Sequence, residues 1–254
     1  MSDLDRRGQM NLFGVVPEPS RVEGEPPPPS EPPAILEGHR LRFEHADYRV
    51  WAEHMSKMDV VIMDPPFDEW SKVDPLHGRT TICFTNFQNR HHVERLYGRP
   101  RFEVVWFFKD GRWVSHRLPR ITHETILIYG DTRSAYVGPR THNQEPQRKG
   151  KGSVGRSVMP ERFYQPRHRK ALNSVLEYPR AVSSQMGCWG KPLGLVRDLL
   201  CLAGGSTVAD PFAGACTVAR VALPMGMRVL ATESDKTTFD QSRGALMSGG
   251  FLDR

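Results

Sequence analysis

The stretch that most constrains the fold is Val60-Val61-Ile62-Met63-Asp64-Pro65-Pro66-Phe67, an apolar run that ends in an acid, two prolines and an aromatic residue. A continuous apolar run of this length predicts a strand buried on both faces, as in a parallel sheet. Pro65 and Pro66 cannot donate a ladder hydrogen bond, so the strand is expected to end at Asp64. The Asp64 carboxylate, the Pro65 carbonyl and the Phe67 ring then lie at the carboxyl edge of the sheet, where open α/β proteins bind ligands.

Two hydrogen-bond acceptors beside an aromatic ring suit a flat heterocycle that carries an exocyclic amino group. The acceptors hold the amino hydrogens, and the ring stacks on the face of the heterocycle. For a single Asp-Pro-Pro, a strand followed by a stiff turn explains the residues about as well as a binding site does. The functional interpretation therefore depends on a second feature of the chain.

That second feature is Thr207-Val208-Ala209-Asp210-Pro211-Phe212-Ala213-Gly214-Ala215-Cys216-Thr217, a short strand that ends in Asp-Pro-Phe and enters a loop of small residues. A helix pattern and another strand follow, and Glu233 closes that strand. An acid about twenty residues past a glycine loop is where a βαβ unit holds ribose hydroxyls. Because the full G-x-G-x-x-G is absent, the pattern favours a nucleoside cofactor over a dinucleotide.

Together these stretches resemble the S-adenosylmethionine-dependent DNA methyltransferases that modify the exocyclic nitrogen of adenine or cytosine. Asp64, Pro65, Pro66 and Phe67 match the catalytic D-P-P-F motif of that family, and residues 210–217 match its cofactor loop. The catalytic motif comes first, as in the permuted group called beta. The resemblance covers most of the chain from about residue 40. It implies a doubly wound, mostly parallel α/β sheet of the Rossmann-like methyltransferase type, with a small basic recognition insert.

The resemblance also implies roles for individual residues. Asp210 would bind the amino group of the cofactor's methionine part, Glu233 its ribose and Lys191 its carboxylate. The rest of the cofactor loop would be Pro211, Phe212, Gly214 and Thr217. Lys191-Pro192 matches part of the family's H-P-T-Q-K-P stretch, whose histidine and threonine are missing here.

The base that the resemblance implies is adenine, because cytosine-directed relatives more often begin the catalytic motif with serine. Two acceptors fit either amino group, so N4-cytosine methylation is the first alternative. An RNA methyltransferase and a DNA-binding derivative without catalytic activity are the others. The intact residues from Asp64 to Phe67 and Glu233 argue against the last alternative.

One departure from the family lies at Cys216, where relatives carry the second glycine of G-x-G-T. Cysteine tolerates a positive φ poorly. Either the loop does not need a positive φ at this position, or cofactor binding is weakened.

The chain is expected to consist of a disordered proline-rich tail at residues 1–35 and a methyltransferase domain at residues 36–254. Proline-rich segments of this kind cannot bury a core. Within the tail, Gln9-Met10-Asn11-Leu12-Phe13 is similar to the Q-x-x-L-F signal that docks bacterial proteins on the sliding clamp. The alternative is that Leu12 and Phe13 pack back on the domain.

Residues 132–172 are expected to form a target-recognition segment. Basic residues outnumber acids there, glycines interrupt any helix, and aromatic residues stand among the charges. Basic side chains bind phosphates and aromatic rings stack on bases. The residues predicted to contact double-stranded DNA are Arg148, Lys149, Lys151, Arg156, Arg167, Arg169 and Lys170. The net charge of +6 is consistent with a polyanionic partner.

Other features exclude several classes. The four cysteines form no C-x-x-C pair, so neither a metal site nor a disulfide framework is indicated. No apolar stretch reaches membrane-spanning length, and the first residues do not begin a signal peptide, so a cytoplasmic protein is expected.

The family resemblance also implies a homodimer and a restriction–modification setting. Trp106 and Tyr129 are expected in the core, whereas His123 and Glu124 are as consistent with the site as with structure.

Overall fold

The computed structural model describes residues 40–112, 117, 119–133, 136–137, 147–148, 163–164, 170–180 and 190–251. Its strands are β1 Leu41–His45, β2 Val60–Met63, β3 Thr80–Thr85, β4 Phe102–Arg112, β5 Ile121–Gly130, β6 Tyr136–Val137, β7 Gln147–Arg148, β8 Phe163–Tyr164, β9 Lys170–Ala171, β10 Val175–Glu177, β11 Thr207–Asp210 and β12 Arg228–Glu233. Its helices are α1 Ala52–Met55, α2 Arg90–Tyr97, α3 Leu193–Ala203, α4 Thr217–Ala222 and α5 Lys236–Ser248, with 3₁₀ turns at Tyr48–Trp51 and Trp70–Lys72.

One eight-stranded sheet has the order β1-β12-β11-β2-β3-β5-β4-β10. All neighbouring strands are parallel except β5, which is antiparallel to β3 and β4. Two short antiparallel pairs, β6 with β9 and β7 with β8, lie outside this sheet. The predicted doubly wound, mostly parallel sheet is confirmed.

Both faces of strand β2 are buried, which explains why the run from Val60 to Met63 is entirely apolar. Val60 and Ile62 belong to a core cluster that includes buried residues of α3 and α4, whereas Val61 and Met63 belong to a second cluster with Met55 of α1. All four strand residues are at most 1% exposed. Both faces of the sheet are therefore covered, as a central parallel strand requires.

The chain changes direction across the sheet between β11 and β2. From β11 it continues through α4 to β12 on one side, and from β2 it continues to β3 on the other. Such a switch point opens a crevice at the carboxyl ends of the two strands. Asp210 ends β11 and Asp64 follows β2, so both acids lie at this crevice.

Two regions were not described by the sequence predictions. Residues 68–79 contain a 3₁₀ turn and are held to the second core cluster by Trp70, Val73 and Leu76, which are all buried. Helix α5 was not predicted, because Phe239, Ser242 and Leu246 are its only buried residues. Its start does carry a sequence signal, since the Asp235 side chain accepts a hydrogen bond from Thr238 N.

Asp59 joins β2 to β11 at the amino ends of the two strands. Its Oδ2 accepts hydrogen bonds from Ser206 N at 2.7 Å and Thr207 N at 3.1 Å, and from both hydroxyls at 3.2 Å. Burial opposes ionisation, but these bonds together hold the pKa of Asp59 below its usual range. A depressed pKa means that the carboxylate stabilises the folded state above pH 4 or so and loses this effect as the pH falls further.

We therefore expect Asp59→Ala to lower the free energy of unfolding by about 2–3 kcal/mol near neutral pH, because several bonds to a charged acceptor disappear. Urea unfolding at several pH values measures the change, which should shrink below about pH 4. The control is Asp240→Ala, which removes an exposed ion pair with Lys236 and should change stability by at most about 0.5 kcal/mol. Equal effects of the two substitutions would contradict the anchoring role of Asp59.

Candidate active site

The crevice between β11 and β2 contains a recess of about 390 Å³. The recess lies at the carboxyl edge because both strands end there, and the loop after β11 forms one wall. Sequence-predicted site residues from three segments line it: Asp64, Lys191, Asp210, Phe212, Gly214 and Thr217. The structure thus brings residues of the two motifs together at one recess.

Asp64 forms an ion pair with Lys191, with 2.8 Å between Oδ2 and Nζ. Glu124 of β5 is a second acidic neighbour of the ammonium, with 3.7 Å between Oε2 and Nζ. Burial raises the pKa values of Asp64 and Glu124, and the positive charge of Lys191 opposes both shifts. Burial also disfavours the charge of Lys191, but the two carboxylates outweigh this effect and raise the pKa of the ammonium.

Asp210 is 3% exposed and faces the same recess. Burial raises its pKa to about 8, and the negative charges of Asp64 and Glu233 add to the shift. The Phe212 amide donates to this carboxyl and opposes the shift. Asp210 consequently holds a proton near neutral pH and would ionise in response to a positively charged ligand.

Glu233 fixes the loop that follows β11. Its Oε2 accepts from Gly214 N and its Oε1 from Asp235 N, each at 2.9 Å. The Ser242 hydroxyl of α5 donates to the Gly214 carbonyl at 2.5 Å. A Cβ built on Gly214 would meet only the Phe212 carbonyl, at 3.9 Å, and φ is +47°. The backbone at Gly214 is therefore open to close approach by a ligand.

Cys216 has φ 53° and ψ 35°, the left-handed conformation, and every other positive φ in the described residues belongs to glycine. The loop therefore adopts a positive φ at this position although the residue is not glycine, which argues against the first of the two alternatives, that no positive φ occurs here. The side chain is 1% exposed and packs in the core. The conformation is disfavoured for a residue with a Cβ by about 1–2 kcal/mol.

We predict that Cys216→Gly is more stable than Cys216→Ala by about 1 kcal/mol. Both substitutions remove the thiol, so they differ only in the Cβ that the left-handed backbone disfavours. Urea unfolding of the two variants measures the difference. Ala215→Gly is the matched control one residue earlier, where glycine should destabilise by about 0.5–1 kcal/mol. An alanine variant at position 216 as stable as the glycine variant would show that the loop relaxes to another conformation.

Phe67 follows the two prolines on a fixed turn. The Asn89 side-chain amide donates to the Phe67 carbonyl at 2.5 Å, and Glu69 N donates to the Pro66 carbonyl at 2.9 Å. The ring centroid lies 5.8 Å from Lys191 Nζ, and that of Phe84 lies 4.9 Å from it. Phe67 thus lies beside the ion pair that contains Asp64.

A second recess of about 630 Å³ shares Phe212 with the first and also includes Pro211. Its other lining residues include Asp47, Tyr48 and Ser234. These residues were not among those predicted from the sequence. The sequence shows only that Asp47, like Glu233, stands at the end of a strand; the structure adds that β1 lies beside β12, with His45 opposite Glu233.

The predicted DNA contacts are only partly covered by the structure. Arg148 lies in β7 and Lys170 in β9, whereas Lys149, Lys151, Arg156, Arg167 and Arg169 lie outside the described residues. Residues 9–13, the proposed clamp signal, also lie outside them. Within the part of the chain that the structure describes, no cluster of metal-binding side chains occurs and no helix could span a membrane.

The strand order and the switch point thus give a doubly wound, mostly parallel α/β sheet with an acid at the end of β11 and another directly after β2. No protein-family profile and no curated protein matches the sequence. Solved structures do match, at low sequence identity. The M1.HpyAVI–SAM complex is 17% identical with a TM-score of 0.54, over 81% of this chain and 100% of the other.

Two further structures extend the comparison. The PvuII DNA methyltransferase, described as cytosine-N4-specific, is 13% identical with a TM-score of 0.55, over 85% of this chain and 87% of the other. TTHA0409 of Thermus thermophilus, a putative DNA modification methylase, is 17% identical with a TM-score of 0.50, over 83% and 94%. At such low sequence identity the structural similarity is evidence for the fold alone. It extends over most of each chain.

Proposed function

We propose that the protein is an S-adenosylmethionine-dependent DNA methyltransferase that modifies the exocyclic N6 amino group of adenine in a flipped-out nucleotide. The observation that carries the proposal is the meeting of Asp64 and Asp210 in one recess across the switch point of the sheet. One acid belongs to the motif that binds an amino heterocycle, the other to the loop that binds a nucleoside cofactor. Two of the three compared structures bear methyltransferase or methylase names, and the third is a complex with S-adenosylmethionine.

The residues on the Asp210 side fit this cofactor. Asp210 and Glu233 are carboxylates for an ammonium group and ribose hydroxyls, and Gly214 leaves its backbone open. The second recess, with Tyr48 and Phe212 as ring surfaces and Asp47 as an acceptor, suits the adenine ring. When bound, the cofactor supplies a methyl group on a positively charged sulfur.

The residues on the Asp64 side hold the target base. The amino group of adenine is unreachable in stacked DNA, so the nucleotide must leave the duplex. Phe67 then stacks on the base, while Asp64 and the Pro65 carbonyl accept the two amino hydrogens. These bonds increase the electron density on the nitrogen and aim its lone pair at the methyl group. Positioning of the two reactants supplies much of the acceleration.

N4-cytosine methylation is the second candidate, and the cytosine-N4-specific PvuII enzyme among the compared structures favours it. The same two acceptors fit the amino group of cytosine. We propose adenine because the motif begins with Asp64, where the cytosine-directed relatives more often carry serine.

The proposed partner is double-stranded DNA, bound by the basic segment at residues 132–172. Docking of residues 9–13 on a sliding clamp, a homodimer and a restriction partner remain predictions from the sequence.

Labelled methyl transfer tests the proposal. The full chain is incubated with labelled S-adenosylmethionine and either mixed-sequence duplex DNA or structured RNA of equal length. We expect label in the DNA only, and calorimetry should give one cofactor site per chain. Label in RNA only would favour the RNA alternative. Absence of both cofactor heat and transfer would favour a DNA-binding derivative without catalytic activity.

A further inference from the structure

The ammonium of Lys191 lies near two half-buried carboxylates, those of Asp64 and Glu124. It is 2.8 Å from Asp64 and 3.7 Å from Glu124. The side chains of Lys191, Asp64 and Glu124 are 16%, 23% and 16% exposed. The first distance is that of a charge-assisted hydrogen bond, whereas the second is too long for one.

This arrangement competes with the proposed chemistry. Asp64 must accept a hydrogen bond from the target amino group, but its Oδ2 already accepts one from the ammonium of Lys191. The pairing also neutralises the negative charge that would polarise the target nitrogen. Movement of the ammonium away from Asp64 would free the paired oxygen and restore the full negative charge that polarises the target nitrogen.

Glu124 provides a place for the ammonium to go. Its Oε2 is buried and has no hydrogen-bond partner in the described part of the chain. A movement of Lys191 Nζ by about 1 Å would bring it to hydrogen-bond distance. The rings of Phe84 and Phe67 lie 4.9 and 5.8 Å from Nζ and can stabilise the cation during the movement.

We propose that Glu124 is a positioning residue, which takes up Lys191 when the target amino group binds and so releases Asp64 to accept it. The ammonium stays paired throughout, which avoids an uncompensated buried charge. This inference rests on the proposed methyl transfer and adds a role that the D-P-P-F motif alone does not contain. It also gives Lys191 a partner other than the cofactor carboxylate.

The first test is equilibrium DNA binding with S-adenosylhomocysteine, which has no methyl group to transfer. The DNA carries either adenine or purine, which lacks the amino group, at the target position. The wild-type protein should prefer adenine by about 5–10-fold, the value of one hydrogen bond. Glu124→Gln should lose this preference because Asp64 stays paired with Lys191, while S-adenosylhomocysteine affinity stays within about 3-fold.

The second test is single-turnover methyl transfer at saturating DNA and cofactor. Glu124→Gln should be slower by about 30-fold, and Glu124→Asp, which keeps the charge, should recover part of the rate. Adding Glu124→Gln to Lys191→Met should cause no further loss, because Glu124 acts through Lys191. Glu103→Gln is the matched control on neighbouring β4, where the carboxylate pairs with Arg90 at 2.8 Å, and it should keep the wild-type rate.

The pH profile separates this role from a structural one. Asp64 faces Lys191 and Asp210, and Glu124 faces Lys191, Asp64 and Arg180. Removing the negative charge of Glu124 lowers the pKa of Asp64, so the acid limb of kcat/KM should move to lower pH in Glu124→Gln. A purely structural role would leave that limb in place.

Failure of this inference can be distinguished from failure of the proposed function. If the wild-type protein transfers methyl groups and Glu124→Gln keeps both the rate and the adenine preference, the inference is wrong and Lys191 is released in another way. If the wild-type protein transfers no methyl group to DNA, the proposed function itself is wrong. If Glu124→Gln does not fold, Glu124→Asp decides: a rate and preference unaffected by the shorter side chain overturn the inference.

Discussion

Asp64→Ala is expected to reduce methyl transfer by at least about 10³-fold, the effect of removing one preorganised charged group from an active site. Asp64 is the acceptor at the end of β2 and faces the proposed target base, whereas the proposed cofactor contacts other than Lys191 lie on β11, β12 and their loops. The cofactor affinity should therefore stay within a few-fold of the wild-type value. Single-turnover transfer and calorimetry measure the two quantities.

The isosteric Asp64→Asn separates charge from shape. It keeps one carbonyl acceptor but removes the negative charge that would polarise the target nitrogen, so it should be nearly as inactive as the alanine variant. Asp68→Asn changes an exposed acid on the adjacent loop and serves as the control with wild-type activity. Turnover retained in Asp64→Ala would eliminate the assignment of Asp64 as the acceptor.

Cofactor affinity is expected to rise with pH until about pH 8 and then level off. The pKa of Asp210 is about 8 because of burial and the nearby charges of Asp64 and Glu233. Below this pH most Asp210 is protonated and cannot form an ion pair with an ammonium group. Each decrease of one pH unit should therefore weaken cofactor binding by up to about 10-fold. Calorimetry from pH 6 to 9 measures this dependence, together with the release of one proton on binding.

Asp210→Asn should remove this dependence. At pH 8.5 and above the variant should bind about 100-fold more weakly than the wild-type protein, because a buried charge-assisted hydrogen bond is lost. Asp131→Asn, an exposed acid paired with Arg101, should keep the wild-type pH profile. A cofactor affinity that does not change with pH in the wild-type protein would mean that Asp210 is ionised before binding.

The sequence predicted the parts of the site that depend on strand ends. Apolar runs terminated by proline identify β2 and β11, and parallel strands bring their carboxyl ends to one edge. The predicted core positions of Trp106 and Tyr129 are also confirmed, since both side chains are buried on strands of the sheet.

Other parts of the site could not be predicted in this way. The pairing of Lys191 with Asp64 and Glu124 joins three separate segments, and sequence patterns carry no information on such distances. The recess around Asp47 and Tyr48 depends on β1 lying beside β12, which is a matter of topology. The conformation of Cys216 follows from the loop and contradicts the preference of the residue itself.

Identification of the methylated nucleoside tests the central claim most directly. DNA methylated by the full chain with labelled S-adenosylmethionine is digested, and the labelled nucleosides are separated and identified. We predict N6-methyldeoxyadenosine, which Asp64 and the Pro65 carbonyl would produce by holding an amino group. N4-methyldeoxycytidine would keep the role of these acceptors but change the base. Label on a ring carbon, as in 5-methyldeoxycytidine, would contradict the account, because that reaction does not use an amino group held by two acceptors.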